Sequence, residues 1–157
     1  MQFSFPKNTT GILNGDDLRF FYYDISSDYL QGWPKAYDWD AIVEEFRGEL
    51  DIDSCPPAQI GSEFVINKIR FTVSHRKDSD NGSKSYAFFR HLRNAFAHFQ
   101  IVRSGDNYII SDGDKKATMR GLVNANLLKK FCYRCFDIRQ KIIDDCDNAH
   151  NFTHDNQ

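Results

Sequence analysis

The stretch from about Ser85 to Phe99 constrains the fold more than any other part of this chain. At 100° per residue, Phe88, Leu92, Ala95, Phe96 and Phe99 fall within one sector of a helix about 100° wide. The opposite sector holds Tyr86, Arg90, Arg93, Asn94, Ala97 and His98. A helix this two-sided must bury its apolar side, so the rest of the chain has to build a core against it. With 157 residues there is room for one domain and a single core, and the expectation is one domain over 1–157. The 14 Phe and 15% aromatic content predict that this core is rich in phenylalanine.

Helical spacing recurs elsewhere. Trp39, Ile42, Val43, Phe46 and Leu50 predict a helix over Asp38–Leu50, with Asp38 or Asp40 as its cap. Ile60, Phe64, Val65, Ile69 and Phe71 predict another over Ala58–His75, and Leu128, Phe131, Cys132, Cys135, Ile138 and Ile142 a long final one from Asn124 to about Asp147. Near the start, an irregular arm over 1–15 leads to a helix from Asp16, which Gly32-Trp-Pro34 ends; Arg19-Phe-Phe-Tyr-Tyr23 also suits a strand. Directly after Phe99 the period becomes two. Gln100–Arg103 and Asn107–Ser111 read as a hairpin, with a short third strand near Ala117–Arg120. Asp78-Ser-Asp-Asn-Gly-Ser83 has the composition of an exposed loop.

A net charge of −2 excludes a chain that is basic overall, but the average hides a division. Residues 1–63 carry 4 basic and 12 acidic side chains, residues 64–103 carry 8 and 2, and residues 104–157 carry 8 and 8. The basic part contains the two-sided helix. No basic-then-apolar leader opens the chain, and no stretch approaches the ~20 apolar residues of a membrane span, so the expected location is the cytoplasm, with no membrane partner. There the four cysteines are expected as free thiols. Cys132 and Cys135 with His150 and His154 could be drawn as a zinc site. A single knuckle pair inside an apolar helical stripe is better read as core packing, so no metal and no cofactor are expected.

No glycine-rich phosphate loop, nucleophile elbow or zinc-protease motif is present. The informative segment is Arg90-His-Leu-Arg93-Asn94-Ala-Phe-Ala-His98. Arg93 and His98 form an R-x4-H pair. The spacing alone identifies nothing, because Arg70 and His75 repeat it. The setting separates the two pairs. Around Arg93 the polar side of the helix gathers Arg90, Asn94 and His98, small Ala97 leaves room for close approach, and no acidic residue intervenes. His75 and His91 are expected at the surface. Trp33, Trp39, Tyr22 and Tyr23 could stack on RNA, but in so acidic a part they fit core or partner packing better.

These residues resemble the HEPN superfamily, whose signature is R-x4–6-H with a polar residue often following the Arg; here it reads Arg93-Asn94-Ala-Phe-Ala-His98. The resemblance covers about residues 58–148 and leaves 1–50 as an acidic extension with one or two helices. It implies an all-α fold, a helical bundle with a small β-hairpin between the motif helix and the long C-terminal helix. It further implies a homodimer through the motif helices and a metal-independent endoribonuclease, in toxin–antitoxin or antiviral defence systems. An antitoxin or neighbouring regulatory protein would be a further partner. Some toxin members carry Tyr two positions after the His, where this chain has Gln100, so the resemblance stops short of that position.

The chemistry suits the residue types. RNA is cut when its 2′-hydroxyl attacks the adjacent phosphorus, which needs a base, an acid and a partner for the phosphoryl charge. His98 takes the proton-transfer role and Arg93 the phosphate role. Asn94 would orient His98 or the phosphate, and Arg90 would add substrate charge. Five residues apart, Arg93 and His98 point ~140° from each other on one helix, so they converge only on a third object wedged against it. Two other readings remain: a non-catalytic HEPN-like module that binds a nucleotide, RNA or protein, and an unrelated helical protein with a chance match.

Overall fold

The computed structural model of the chain describes residue 35 and residues 37–61 and 65–155. The arm, helix and break expected over 1–34, with Tyr22, Tyr23 and Trp33, lie outside the described residues. The elements are α1 (Trp39–Glu45), β1 (Asp51–Ser54), a 3-10 turn (Pro57–Gln59), β2 (Lys68–Phe71), α2 (Lys84–Ala97), β3 (Ile101–Ser104), β4 (Asn107–Asp112), β5 (Met119–Asn124) and α3 (Ala125–Asp155).

The expectation of an all-α bundle is overturned. The strands form one five-stranded sheet in the order β1-β2-β5-β4-β3, parallel between β1 and β2 and antiparallel elsewhere. The anticipated hairpin is real, but it is half of a sheet. Among the described residues of Ala58–His75 the expected α-helix is absent. That segment enters a 3-10 turn after Cys55-Pro-Pro57, and Asn67 adopts a left-handed φ of 62°, which ends any helix. Lys68-Ile-Arg-Phe71 then alternates, with Ile69 and Phe71 buried and Lys68 and Arg70 partly exposed. Short alternating segments also satisfy a helical period when read in a longer window. What decides is pairing with β5, over fifty residues away: Ile69 lies opposite Gly121. A Cβ at Gly121 would sit 2.9 Å from Ile69 Cγ1, so the missing side chain is what lets β2 close on β5. The helix expected over Asp38–Leu50 also stops early, at Glu45, because the next residues turn into β1.

The core lies between one face of the sheet and the helices. Ile69, Phe71, Ile110, Met119 and Val123 from the sheet meet Phe88, Phe89 and Leu92 of α2, Ile42 of α1 and Leu128 and Phe131 of α3. Phe88 is the hub. Its ring centroid lies 5.3 Å from Trp39, 5.4 Å from Phe71, 5.5 Å from Phe131 and 5.8 Å from Phe89. Most of these pairs are edge-to-face, the favoured arrangement for aromatic quadrupoles. The phenylalanine-rich core is therefore as the composition predicts, and Trp39 belongs to it. Cys135 is buried against the same core.

Helix starts follow local rules. The Asp38 carboxylate accepts from the Ala41 N–H at 3.0 Å, and the Ser83 hydroxyl from the Tyr86 N–H at 3.2 Å. The Asn124 side-chain oxygen Oδ1 accepts from the Asn126 and Leu127 N–H groups, so α3 begins where β5 ends. Two acidic residues from the N-terminal part neutralise charge on α3: Glu45 with Arg134 and Glu49 with Lys130. Asp51 instead reaches the basic part through Arg70. Among the described residues, no helix is long and apolar enough to cross a membrane.

Candidate functional site

The polar side of α2 divides into two halves. Its first half is tied into the protein. Asp80, expected in an exposed loop, is fully buried. Its carboxylate accepts from the Ser74 N–H at 2.6 Å, from Arg90 Nε at 2.6 Å and from Arg90 Nη2 at 2.8 Å. Such a two-point fork fixes the guanidinium plane and clamps loop 72–83 to the helix. Arg90 is thus engaged by a carboxylate that the sequence did not mark.

His91, expected at the surface, is also fully buried. Its Nδ1 lies 2.7 Å from Asp112 Oδ2, and its Nε2 lies 2.8 Å from the Thr72 carbonyl oxygen. Arg90 Nη2 lies 3.3 Å from the same Nε2, so the ring is enclosed by Asp112, Thr72 and Arg90. Asp112, at the end of β4, accepts as well from Asn94 Nδ2 at 3.2 Å. Burial pushes the Asp112 carboxyl up. The hydrogen bond and charge of His91, the Asn94 amide and the charge of Arg90 outweigh it and hold the group below the usual carboxylate range.

The second half of α2 turns outward. Arg93 and Asn94 are half-buried, and Arg93 Nη1 donates to Asn94 Oδ1 at 3.4 Å. Ala97 and His98 are exposed. His98 is the C-cap, with φ −101° and ψ 11°. The chain then reverses. The Gln100 N–H donates to the Ala95 carbonyl at 2.8 Å, and the Phe99 N–H to the Phe96 carbonyl at 3.3 Å. These two bonds make a Schellman motif with Phe99 at the left-handed position, φ 55°. Phe99 was expected on the buried stripe. It is 85% exposed, because the left-handed turn carries it off the helix before its face can reach the core. Gln100 anchors the reversal by donating from Nε2 to the Gly113 carbonyl at 3.1 Å.

Of the four sequence candidates, Arg93 and Asn94 lie in the last turns of α2, bonded to each other, and His98 is its exposed C-cap. Asn94 is held by Asp112 and by Arg93, and Arg90 is held by Asp80. The second R-x4-H pair is different in kind. Arg70 sits on β2 with its guanidinium on Asp51, and His75 is exposed in a loop. Sequence reasoning missed Asp80, Asp112 and His91. A lone Asp in a turn carries no spacing signal, and only the fold shows what it binds. Among the described residues no group of three or more His, Cys, Asp or Glu could hold a metal ion. The side chains of Cys132, His150 and His154, the zinc alternative, lie outside what is described.

A family model described as HEPN pEK499 p136 matches residues 3–145. Nothing matches among curated proteins or among solved structures.

Proposed function

The chain belongs to the HEPN family, and from that premise we propose that it is a metal-independent endoribonuclease acting as a homodimer, of the kind used as a toxin or antiviral defence effector. One observation carries the reading: His98 is exposed at the C-cap of α2, and in the last turns of the same helix Asp112 holds Asn94, which in turn accepts from Arg93.

In this reading the RNA 2′-hydroxyl attacks the adjacent phosphorus. His98 takes the 2′-proton, the 2′-oxygen–phosphorus bond forms, and the bond to the 5′-oxygen breaks. The leaving oxygen takes a proton from the twofold-related His98 of a second copy, so the pair of histidines ends with one proton moved and a cyclic phosphate as product. Arg93 binds the phosphoryl oxygens, where charge grows in the transition state. Asn94 orients Arg93, and Asp112 holds Asn94. Arg90 fixes the helix to loop 72–83 through Asp80, which neutralises its charge.

The test compares wild type, His98→Ala and Arg93→Ala on structured RNA in EDTA, with His75→Ala as control. Cleavage by wild type and His75→Ala alone supports the reading. Equal cleavage by all four identifies a contaminant. Binding without cleavage by wild type makes the chain a non-catalytic binding module.

A further inference from the structure

The two faces of the sheet differ in kind. Ile69 and Phe71 of β2 and Met119 and Val123 of β5 enter the core with the helices. Alternation therefore puts Lys68, Arg70 and Arg120 on the other face, away from α2 and its motif. Arg70 stands directly opposite Arg120 in the ladder. Like charges so placed destabilise a strand pair, so the sheet gains nothing from them. Strand β1 answers the three cations with two carboxylates. Asp51 accepts from Arg70 Nη1 at 3.2 Å and Nη2 at 2.9 Å, and it feels the charge of Lys68 as well. Asp53 lies opposite Arg70 in the ladder. Neither carboxylate lines the cavity that opens between the cations and segment 55–61.

Segment 55–61 is tied down at both ends. The Cys55 N–H donates to the Phe71 carbonyl at 2.9 Å, and Arg120 Nη1 donates to the Gly61 carbonyl at 2.7 Å. The cavity it encloses measures about 370 Å³, near the lower bound of the about 300–1,000 Å³ of small-molecule sites. Lys68, Arg70 and Arg120 line it together with apolar Ile60 and Val65, and Val65 is 57% exposed. We infer that this cavity binds a small organic phosphate, its phosphate on Lys68 and Arg120 and its carbon body on Ile60 and Val65. A guanidinium fork matches phosphate oxygens, and lysine adds a compact charge. Arg70, already on Asp51, keeps the wall cationic. A strand of RNA fits less well, because no described lining residue is an aromatic on which successive bases stack. The site uses no motif residue and does not rest on the endoribonuclease reading.

The probes are phenyl phosphate, inorganic phosphate and phenol, titrated by calorimetry into the full chain at low salt. Phenyl phosphate is expected to bind once per chain, and inorganic phosphate about tenfold more weakly, since it buries no carbon. Phenol is expected not to bind at the same concentrations. Lys68→Gln and Arg120→Gln are each expected to weaken phenyl phosphate about ten- to hundredfold. Val65→Asp sets a carboxylate at an exposed position of the same wall. It is expected to abolish binding at an unchanged Tm, which separates a lost site from a loosened turn at Arg120. His98→Ala is expected to bind as wild type does. The inference is overturned if phenyl phosphate fails to bind wild type, or binds Val65→Asp and Lys68→Gln with full affinity. Equal affinity for inorganic phosphate overturns the organic ligand. Weaker binding by His98→Ala overturns the location, since the phosphate then sits at the motif. Displacement of phenyl phosphate from His98→Ala by a single-stranded RNA without terminal phosphates also overturns it, because the cavity is then part of an RNA path.

Discussion

Asp80 has no exposed surface and takes three hydrogen bonds, two of them from one guanidinium. Removing it leaves Arg90 charged and largely out of water. Asp80→Ala is expected to cost about 3–5 kcal/mol, read from the urea midpoint; a loss below about 1 kcal/mol would class the pair with exposed ones. Asp112 gives a pH signature. Its carboxyl titrates below the unfolded value of about 3.9, so it contributes stability that is fully present above that pH. The contribution is lost as pH falls through the native pKa. Wild type should therefore lose Tm more steeply below about pH 4 than Asp112→Asn, although the variant starts lower at pH 7. Parallel curves would show that the network adds nothing to acid stability. These carboxylates were not legible in the sequence. Asp112 lies 21 residues from His91 and Asp80 lies 10 from Arg90, and no local pattern links such pairs. Arg93, Asn94 and His98 were legible because one helix carries them at a fixed spacing.

The start and end of α2 are each set by one or two side chains. Ser83→Ala removes the cap on the Tyr86 N–H and is expected to cost about 1 kcal/mol, measured by thermal unfolding. The far end depends on Gly113. Its φ is +116°, and a Cβ there would collide with the Lys116 carbonyl oxygen. Its own carbonyl receives Gln100 Nε2, so the turn and the helix end form one unit. Gly113→Ala is expected to lower Tm and to reduce RNA cleavage together; full cleavage by a destabilised variant would uncouple the two. Helices α2 and α3 were legible because their periodic faces run for many residues. Strand β2 was not, since four alternating residues fit either period and its partner β5 lies far along the chain. The segment Asp78–Ser83 is a loop as its composition predicts, but Asp80 within it turns inward to meet Arg90.

At the scale of the molecule, Phe88 joins α1, α2, α3 and the sheet through four aromatic contacts. Phe88→Ala is expected to destabilise by about 3–5 kcal/mol, and a cost under 1.5 kcal/mol would mean that the core closes over the gap. The proposed active form is a dimer, so light scattering at micromolar concentration should give twice the chain mass; a strict monomer would sink the shared site. The division of charge along the sequence acquires a structural meaning here. Part of the acidic segment pairs with α3, through Glu45 and Glu49, rather than with the basic segment that holds the motif. By itself the sequence determined the family motif, the two-sided helix that carries it, the phenylalanine core and the long closing helix. Each of these depends on residue type and on spacing within one stretch of chain. Only the tertiary structure decided that the fold contains a five-stranded sheet, that Arg90 and His91 point to buried carboxylates, and that Phe99 stands in solvent. Those outcomes depend on which distant segments meet, because pairing, burial and backbone reversal are settled by partners that no local pattern contains.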